Sequence, residues 1–330
     1  MSGVAALAFP ELKRALRTAS RSPLARCVHK SLEACPAGSV VLVAASGGAD
    51  STGLALLACA VASRGPWQVR LVTVDHGLRS ASASDADFVE SCAAWLGVPV
   101  DRVRLSLQSG AALAARARTA RHQAIADAAK ACGAPVVLMA HHAQDQLETV
   151  LMRLVRGAGA KAAAGMPSRR RMRGVQLLRP LLERSREEIR ALLQRAEVPW
   201  REDPSNADRS KPRGRIRHEV LPVLEAMRSG AAVRASRSAR RLQGAAKALR
   251  AQAKRHMTGE GPWSRAQLRG VPSEALALAL HRLVRAASEA HVERAVEAIR
   301  SANVRPRRCA LGSLQLRVDA KWVRLESAQA

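Results

Sequence analysis

Six consecutive residues, Ser46-Gly47-Gly48-Ala49-Asp50-Ser51, combine two glycines, two hydroxyls and one carboxylate. The apolar run Val40–Ala45 leads into them, and a helix-forming stretch, Thr52–Ser63, comes directly after. A buried strand that breaks into small residues and turns into a helix aims free backbone N–H groups at one point. That point lies at the positive end of the helix dipole and suits an anion such as a phosphate. Gly47 and Gly48 permit close backbone approach, while Ser46 and Ser51 add hydroxyl donors. Asp50 is the informative residue. A loop that only holds a phosphate gains nothing from a negative side chain, whereas one that also holds a divalent cation on that phosphate does. The competing reading is a tight strand–helix turn capped by Asp50 or Ser51. No Lys stands after the glycines as a Walker loop requires, and the dinucleotide pattern G-x-G-x-x-G is absent.

A second set begins at Ala140-His141-His142, with Asp145, Gln146 and Glu148 opening the next helix. His141 and Glu148 stand about two helical turns apart, with Asp145 between them. An imidazole and two carboxylates at a strand's end suit metal binding or proton transfer. With a single cluster, zinc carries little weight, and an acidic first turn beside a capping His is the bland alternative. Arg118 and Arg121 lie at i and i+3 on one helical face and form a fork able to clamp phosphates. Alone they would read as a solvated basic face. Asp75-His76 ends the second apolar run and reaches the same sheet edge as the glycine loop, where His76 can touch a nucleotide's base or ribose. Asp85 reads as a helix cap.

Positioning these residues requires strands at Val40–Ala45, Val69–Asp75, Val100–Leu105 and Val136–Ala140. Helices are predicted at Thr52–Ser63, Ser84–Leu96, Ala111–Ala131 and Asp145–Val155. This alternation predicts an α/β fold built on a doubly wound parallel sheet, which binds ligands beyond its strand C-termini. Residues 156–173 read as a mobile basic loop, and polar 202–217 precedes a helix at His218–Met227. Ala/Arg-rich helices at Ala231–His256, Ser273–Ala287 and His291–Ser301 come next, then strands at Ser313–Val318 and Trp322–Leu325. The expected division is a basic N-terminal arm or helix (1–35), a nucleotide domain (36–225) and a basic helical domain (226–330). Leu12, Ala15, Leu16 and Ala19 share one helical face, which favours a helix or arm over a transit peptide.

The chain has 330 residues, enough for two cores, and contains two Phe and no Tyr, so those cores must be built from Ala, Leu and Val. Residues 1–152 carry 15 Lys/Arg against 11 Asp/Glu, whereas residues 153–330 carry 39 against 16. An Arg-rich genome explains part of that surplus but not its collection in one half, which implies a polyanionic partner such as nucleic acid. The six cysteines form no C-x-x-C pair, which argues against zinc or iron–sulfur ligation and fits a reducing, cytoplasmic setting. No apolar run reaches transmembrane length.

Taken in order, SGGADS, VDHGLRSASASDADFV, ARTARH, HHAQDQLETVLMRLVRGAG, GMP, RPLLERSREEI and WREDPSNADRSKPRGRIRHEVLP resemble the tRNA(Ile)-lysidine synthase family over roughly residues 38–225. The loop alone resembles only the wider PP-loop ATP-pyrophosphatase superfamily. The resemblance implies adenylation of the wobble cytidine of tRNA(Ile) with a CAU anticodon, then displacement of AMP by L-lysine. It implies that Ser46–Ser51 hold ATP, that Asp50 and Asp145 bind Mg2+, and that Arg118, Arg121, His141 and Glu148 line the reaction site. Either Glu148 or His141 is open as the acceptor of lysine's proton, and Glu202-Asp203 resembles a segment near the substrate. The chain departs from the family at His122 (usually Tyr), Ala140 (Gly), Ala162-Ala163 (Gly-Leu) and Gly214 (Asn). Two rivals remain: a tRNA 2-thiolation enzyme sharing the loop, and a non-catalytic basic RNA-binding protein.

Overall fold

A computed structural model describes residues 8–75, 81–106, 110, 113–156, 164–202, 209–259, 261–284 and 287–327. His76 and Asp203 lie outside the described residues. The chain forms two compact units, Met1–Glu148 with Met166–Ser236, and Thr149–Gly165 with Arg237–Ala330.

The first unit opens with helices α1 (Leu12–Arg21) and α2 (Pro23–Leu32). Strand and helix then alternate through β1 (Val40–Ala44), α3 (Ala49–Ala62), β2 (Gln68–Asp75), α4 (Ala81–Leu96) and β3 (Val100–Arg104). The series continues with α5 (Leu113–Ala131), β4 (Val136–Leu138), α6 (Ala143–Leu154), β5 (Arg169–Met172), β6 (Val175–Leu178) and α7 (Arg186–Arg195). The sheet order is β3-β2-β1-β4-β6-β5. Five strands run parallel and β5 pairs antiparallel with β6 at the edge. This is the doubly wound parallel sheet that the alternation predicts.

Residue alternation in β1 explains its two covered faces. Val41 and Val43 join one core cluster with α3, while Leu42 joins Ile125, Ala126 and Ala129 of α5 in another. Helix α3 is Ala/Leu-rich all round and is buried on nearly every face. Close packing against α7 requires Gly53, where a Cβ would lie 2.5 Å from Ile189 Cγ2.

Two sequence expectations, on the start of α3 and on residues 156–173, differ from the structure. Helix α3 begins at Ala49 rather than Thr52, because Gly48, in extended conformation, is its N-cap. The N-terminal segment folds as two helices, and Ala15 and Ala19 of α1 are fully buried in the main core. Part of the expected loop 156–173 is strand β5, since Met172 and the subsequent Val175, Leu177 and Leu178 bury against the sheet core; residues 157–163 lie outside the described residues.

Beyond α7, α8 (Pro212–Arg215) leads into a π-helical turn, Ile216–Val220, and then α9 (Leu221–Met227). The long helix α10 spans Ala231–His256. The second unit contains β7 (Trp263–Ser264), α11 (Arg265–Arg269), α12 (Ser273–Leu283) and α13 (Glu289–Arg300). After them come β8 (Arg307–Leu311), β9 (Leu314–Val318) and β10 (Trp322–Ser327), in an antiparallel sheet ordered β7-β10-β9-β8. Its core collects Leu276, Leu280, Val292, Ile299, Leu316 and Val323. Arg265 is buried among them and donates to the carbonyls of Ala298, Ile299, Ser301, Asn303 and Asp319. Its planar fork thereby satisfies carbonyls that the end of α13 leaves open.

Candidate active site

β1 and β4 are neighbours, and the strand order runs outward from them in opposite directions. The crevice beyond the carboxyl ends of such a pair is where an open α/β sheet binds ligands. Residues 45–48 leave β1 there and residues 139–142 leave β4. Between them lies a cavity of about 400 Å³, within the range of small-molecule sites.

Gly47 has φ +79°, and a Cβ there would sit 3.1 Å from Phe88 Cδ1. Its carbonyl accepts from the Arg201 backbone N–H at 2.8 Å and from Thr52 Oγ1 at 3.2 Å. Ser51 Oγ accepts the Ser46 N–H at 3.1 Å and donates to the Gly48 carbonyl. These bonds rigidify the loop while the first-turn N–H groups of Ala49, Asp50 and Ser51 have no intrahelical acceptor. Asp50 lies in that first turn and does not cap it. Its Oδ1 is buried without a hydrogen-bond partner among the described residues, and Oδ2 lies 3.4 Å from His142 Nε2.

His142 joins the two carboxylates. The same Nε2 stands 3.5 Å from Asp145 Oδ2, and the His142 backbone N–H donates to that oxygen at 3.1 Å. Burial pushes the imidazole down, but Asp145 and Asp50 outweigh it and raise its pKa. Burial likewise pushes the Asp145 carboxyl up, but its charged neighbours, His142 first, bring it down to about 2. His141 differs from its neighbour. Burial first, with Arg179 and further guanidiniums, drives it down to about 3, despite Asp145. Its Nδ1 accepts from Arg179 Nε at 3.2 Å, so the ring is neutral.

Glu148 is fully buried and held from two sides. Arg213 Nε donates to one oxygen at 2.6 Å and Arg217 Nε to the other at 2.7 Å. Arg213 also donates to Asp145 at 3.0 Å. These arginines flank the start of the π-helical turn, and such turns recur at functional sites. Arg121 reaches the cavity with its Nε buried and unpartnered among the described residues. Burial, then Arg118 and Arg213, lower the pKa of Arg121; burial, then Arg213 and Arg170, lower that of Arg118. Guanidiniums crowded so that they repel one another are stabilised by an incoming anion.

Of the residues singled out in the sequence, Ser46, Gly48, Ala49, Asp50, Ser51, Arg121, His141 and Asp145 line the cavity. Gly47 shapes the loop, Glu148 lies behind the lining and Arg118 beside Arg121. Asp85, read as a cap, instead pairs with Arg201 at 3.3 Å on the cavity wall. Glu202 lines the cavity too, but Arg190 and the Trp200 indole occupy its Oε1. Sequence reasoning passed over His142, Arg186, Arg201, Arg213 and Arg217. The i, i+4 spacing of Arg213 and Arg217 within RGRIR was a usable signal; nothing local distinguished His142 from His141.

Comparison with known proteins agrees with this geometry. The family model described as the PP-loop domain matches residues 20–224. A tRNA(Ile)-lysidine synthase of Thermobifida fusca is 40% identical over 268 residues, covering 79% of this chain and 81% of that protein. One of Salinispora arenicola is 46% identical over 202 residues, and there the match spans 60% of each chain. Among solved structures, the U34-tRNA thiolase NcsA of Methanococcus maripaludis, determined with its iron–sulfur cluster, shares the fold. That match has a TM-score of 0.59 at 18% identity and covers 67% of this chain and 78% of that one. With the loop, the switch-point cavity and these matches together, the chain belongs to the PP-loop proteins and, within them, to the tRNA(Ile)-lysidine synthase family.

Proposed function

We propose that this chain is an ATP-dependent tRNA(Ile)-lysidine synthase acting in the cytoplasm. In the first step the C2 carbonyl oxygen of the wobble cytidine, in a CAU anticodon, attacks the α-phosphorus of ATP and pyrophosphate leaves. In the second, the side-chain amine of L-lysine attacks C2, the C2–O bond to AMP breaks, and the amine loses a proton. The observation that carries this reading is one cavity joining an anion-binding loop, an unpartnered carboxylate oxygen and crowded guanidiniums.

Within that scheme the Ser46–Ser51 backbone cradles the phosphates, and Arg118 and Arg121 draw off the charge of departing pyrophosphate. Asp50 and Asp145 are the residues that would hold Mg2+. The donor set fits, since Mg2+ takes one or two carboxylates together with substrate phosphates, and Asp50 Oδ1 has no other partner among the described residues. When bound, the cation neutralises phosphate charge. His141, held near pKa 3 with Nδ1 occupied, is too weak a base for lysine and serves as a neutral hydrogen-bonding group. Glu148, filled by two guanidiniums, positions Arg213 and Arg217. The thiolation rival gains nothing from the buried thiols, because burial raises Cys59 and Cys92 to about 12.

The deciding assay combines the chain, ATP, isotopically labelled lysine and CAU-anticodon tRNA(Ile). Label should enter the tRNA in an ATP-dependent manner. Absence of label, with sulfur incorporated from cysteine or sulfide instead, would reject the reading.

A further inference from the structure

A separate concentration of positive charge lies on the edge of the first unit's sheet. The β5–β6 hairpin reads Arg169-Arg170-Arg171-Met172-Arg173-Gly174 before its apolar return strand. Pairing runs from Arg169↔Leu178 to Met172↔Val175, so Arg173 and Gly174 form a two-residue turn. Their φ angles are 49° and 97°. Such turns select Asn-Gly or Asp-Gly, because other L side chains are strained at positive φ, by roughly 1–2 kcal/mol. An arginine kept there retains a cation at a position where a neutral residue would fold better, and an outlier of that kind points toward function.

Alternation along the strand places Arg170 on the same face as Met172, which packs in the cluster containing Ile125, Ala126 and Ala129 of α5. Arg170 is therefore on the face that also carries Arg118, whose pKa it helps to lower. Arg170, Arg171 and Arg173 are exposed, and none makes an ion pair or side-chain hydrogen bond among the described residues. Edge strands are commonly guarded by charge against pairing with another chain. A guard, however, needs no arginine in a strained turn, nor continuity with guanidiniums beside a catalytic cleft.

We propose that the β5–β6 hairpin is a phosphate-binding arm that grips the RNA backbone next to the nucleotide presented to the cleft. The inference rests on the RNA-modifying reading above, and deepens it by assigning part of the RNA grip to the catalytic unit rather than to the basic C-terminal half alone. Exposed guanidiniums on a rigid strand match phosphate oxygens bidentately and carry no base preference.

The test uses the full-length chain with Arg170→Gln, Arg171→Gln and Arg173→Gln combined, and measures Kd for tRNA(Ile) across a salt series. Kd should rise about tenfold or more, and the slope of log K against log salt should shrink by about two, each lost phosphate contact removing ~0.7–0.9. KM for ATP should stay unchanged. Arg173→Asn alone should raise Tm while weakening tRNA binding, because it relaxes the turn and deletes the cation. An unchanged Kd and slope in the triple variant, with or without new self-association, would overturn the arm and leave the lysidine reading intact. A wild-type chain that bound no tRNA would overturn both.

Discussion

Asp50 shows how one side chain changes meaning with its surroundings. As a first-turn acid it would merely complement a helix dipole, an effect of about 0.3–1 kcal/mol at an exposed site. In the structure one of its oxygens is buried without a partner among the described residues and the other faces His142. An unsatisfied buried acceptor costs about 1–3 kcal/mol, a cost that the proposed cation would offset. Asp50→Ala should therefore abolish ATP-dependent pyrophosphate release while tRNA binding stays within about twofold. Release at the wild-type rate in that variant would remove Asp50 from the chemistry. The neighbouring histidines make the same point: His141 stood out in the sequence, yet burial and Arg179 neutralise it, whereas His142 bridges the two acids.

At the scale of elements, the cavity depends on where β1 and β4 stop and on the segments that leave them. Both are short, and both hand over to a helix whose first turn carries an acid, Asp50 in α3 and Asp145 in α6. Arg213 in α8 and Arg217 in the π-helical turn then direct their Nε donors to the two oxygens of Glu148. In the second unit the corresponding device is Arg265. Replacing it by Lys should lower that unit's stability by about 3 kcal/mol, since one ammonium cannot serve five carbonyls and those left buried lose their donors. Hydrogen exchange in α13 and β10 should accelerate while β1 and β4 keep their protection. Equal acceleration in both sheets, or none, would contradict this assignment.

For the whole molecule, charge distribution sets behaviour toward polyanions. The net charge is +27 and most of it lies beyond residue 152. Helix α10 alone exposes Arg234, Arg237, Arg240, Arg241, Lys247, Lys254 and Arg255. Binding of tRNA should consequently weaken steeply with salt, and Arg237→Gln with Arg241→Gln and Lys247→Gln should flatten the slope by about two without changing KM for ATP. A slope that does not move would take α10 out of the RNA contact. Among the described residues no helix is long and apolar enough to cross a membrane.

The sheet class, the phosphate loop, the carboxylate pair and the basic half were legible in the sequence because each is written in local spacing. Strand–helix alternation, glycines after an apolar run and charge per segment all survive reading one residue at a time. The β5–β6 hairpin was hidden because an Arg-rich strand lacks an apolar face of its own and gains one only by pairing with β6. Tertiary structure alone decided which histidine faces two acids, that Glu148 is filled by arginines 65 and 69 residues away, and that Arg201 reaches back to Gly47. Burial and electrostatic coupling depend on distances in space, and separation along the chain does not encode them.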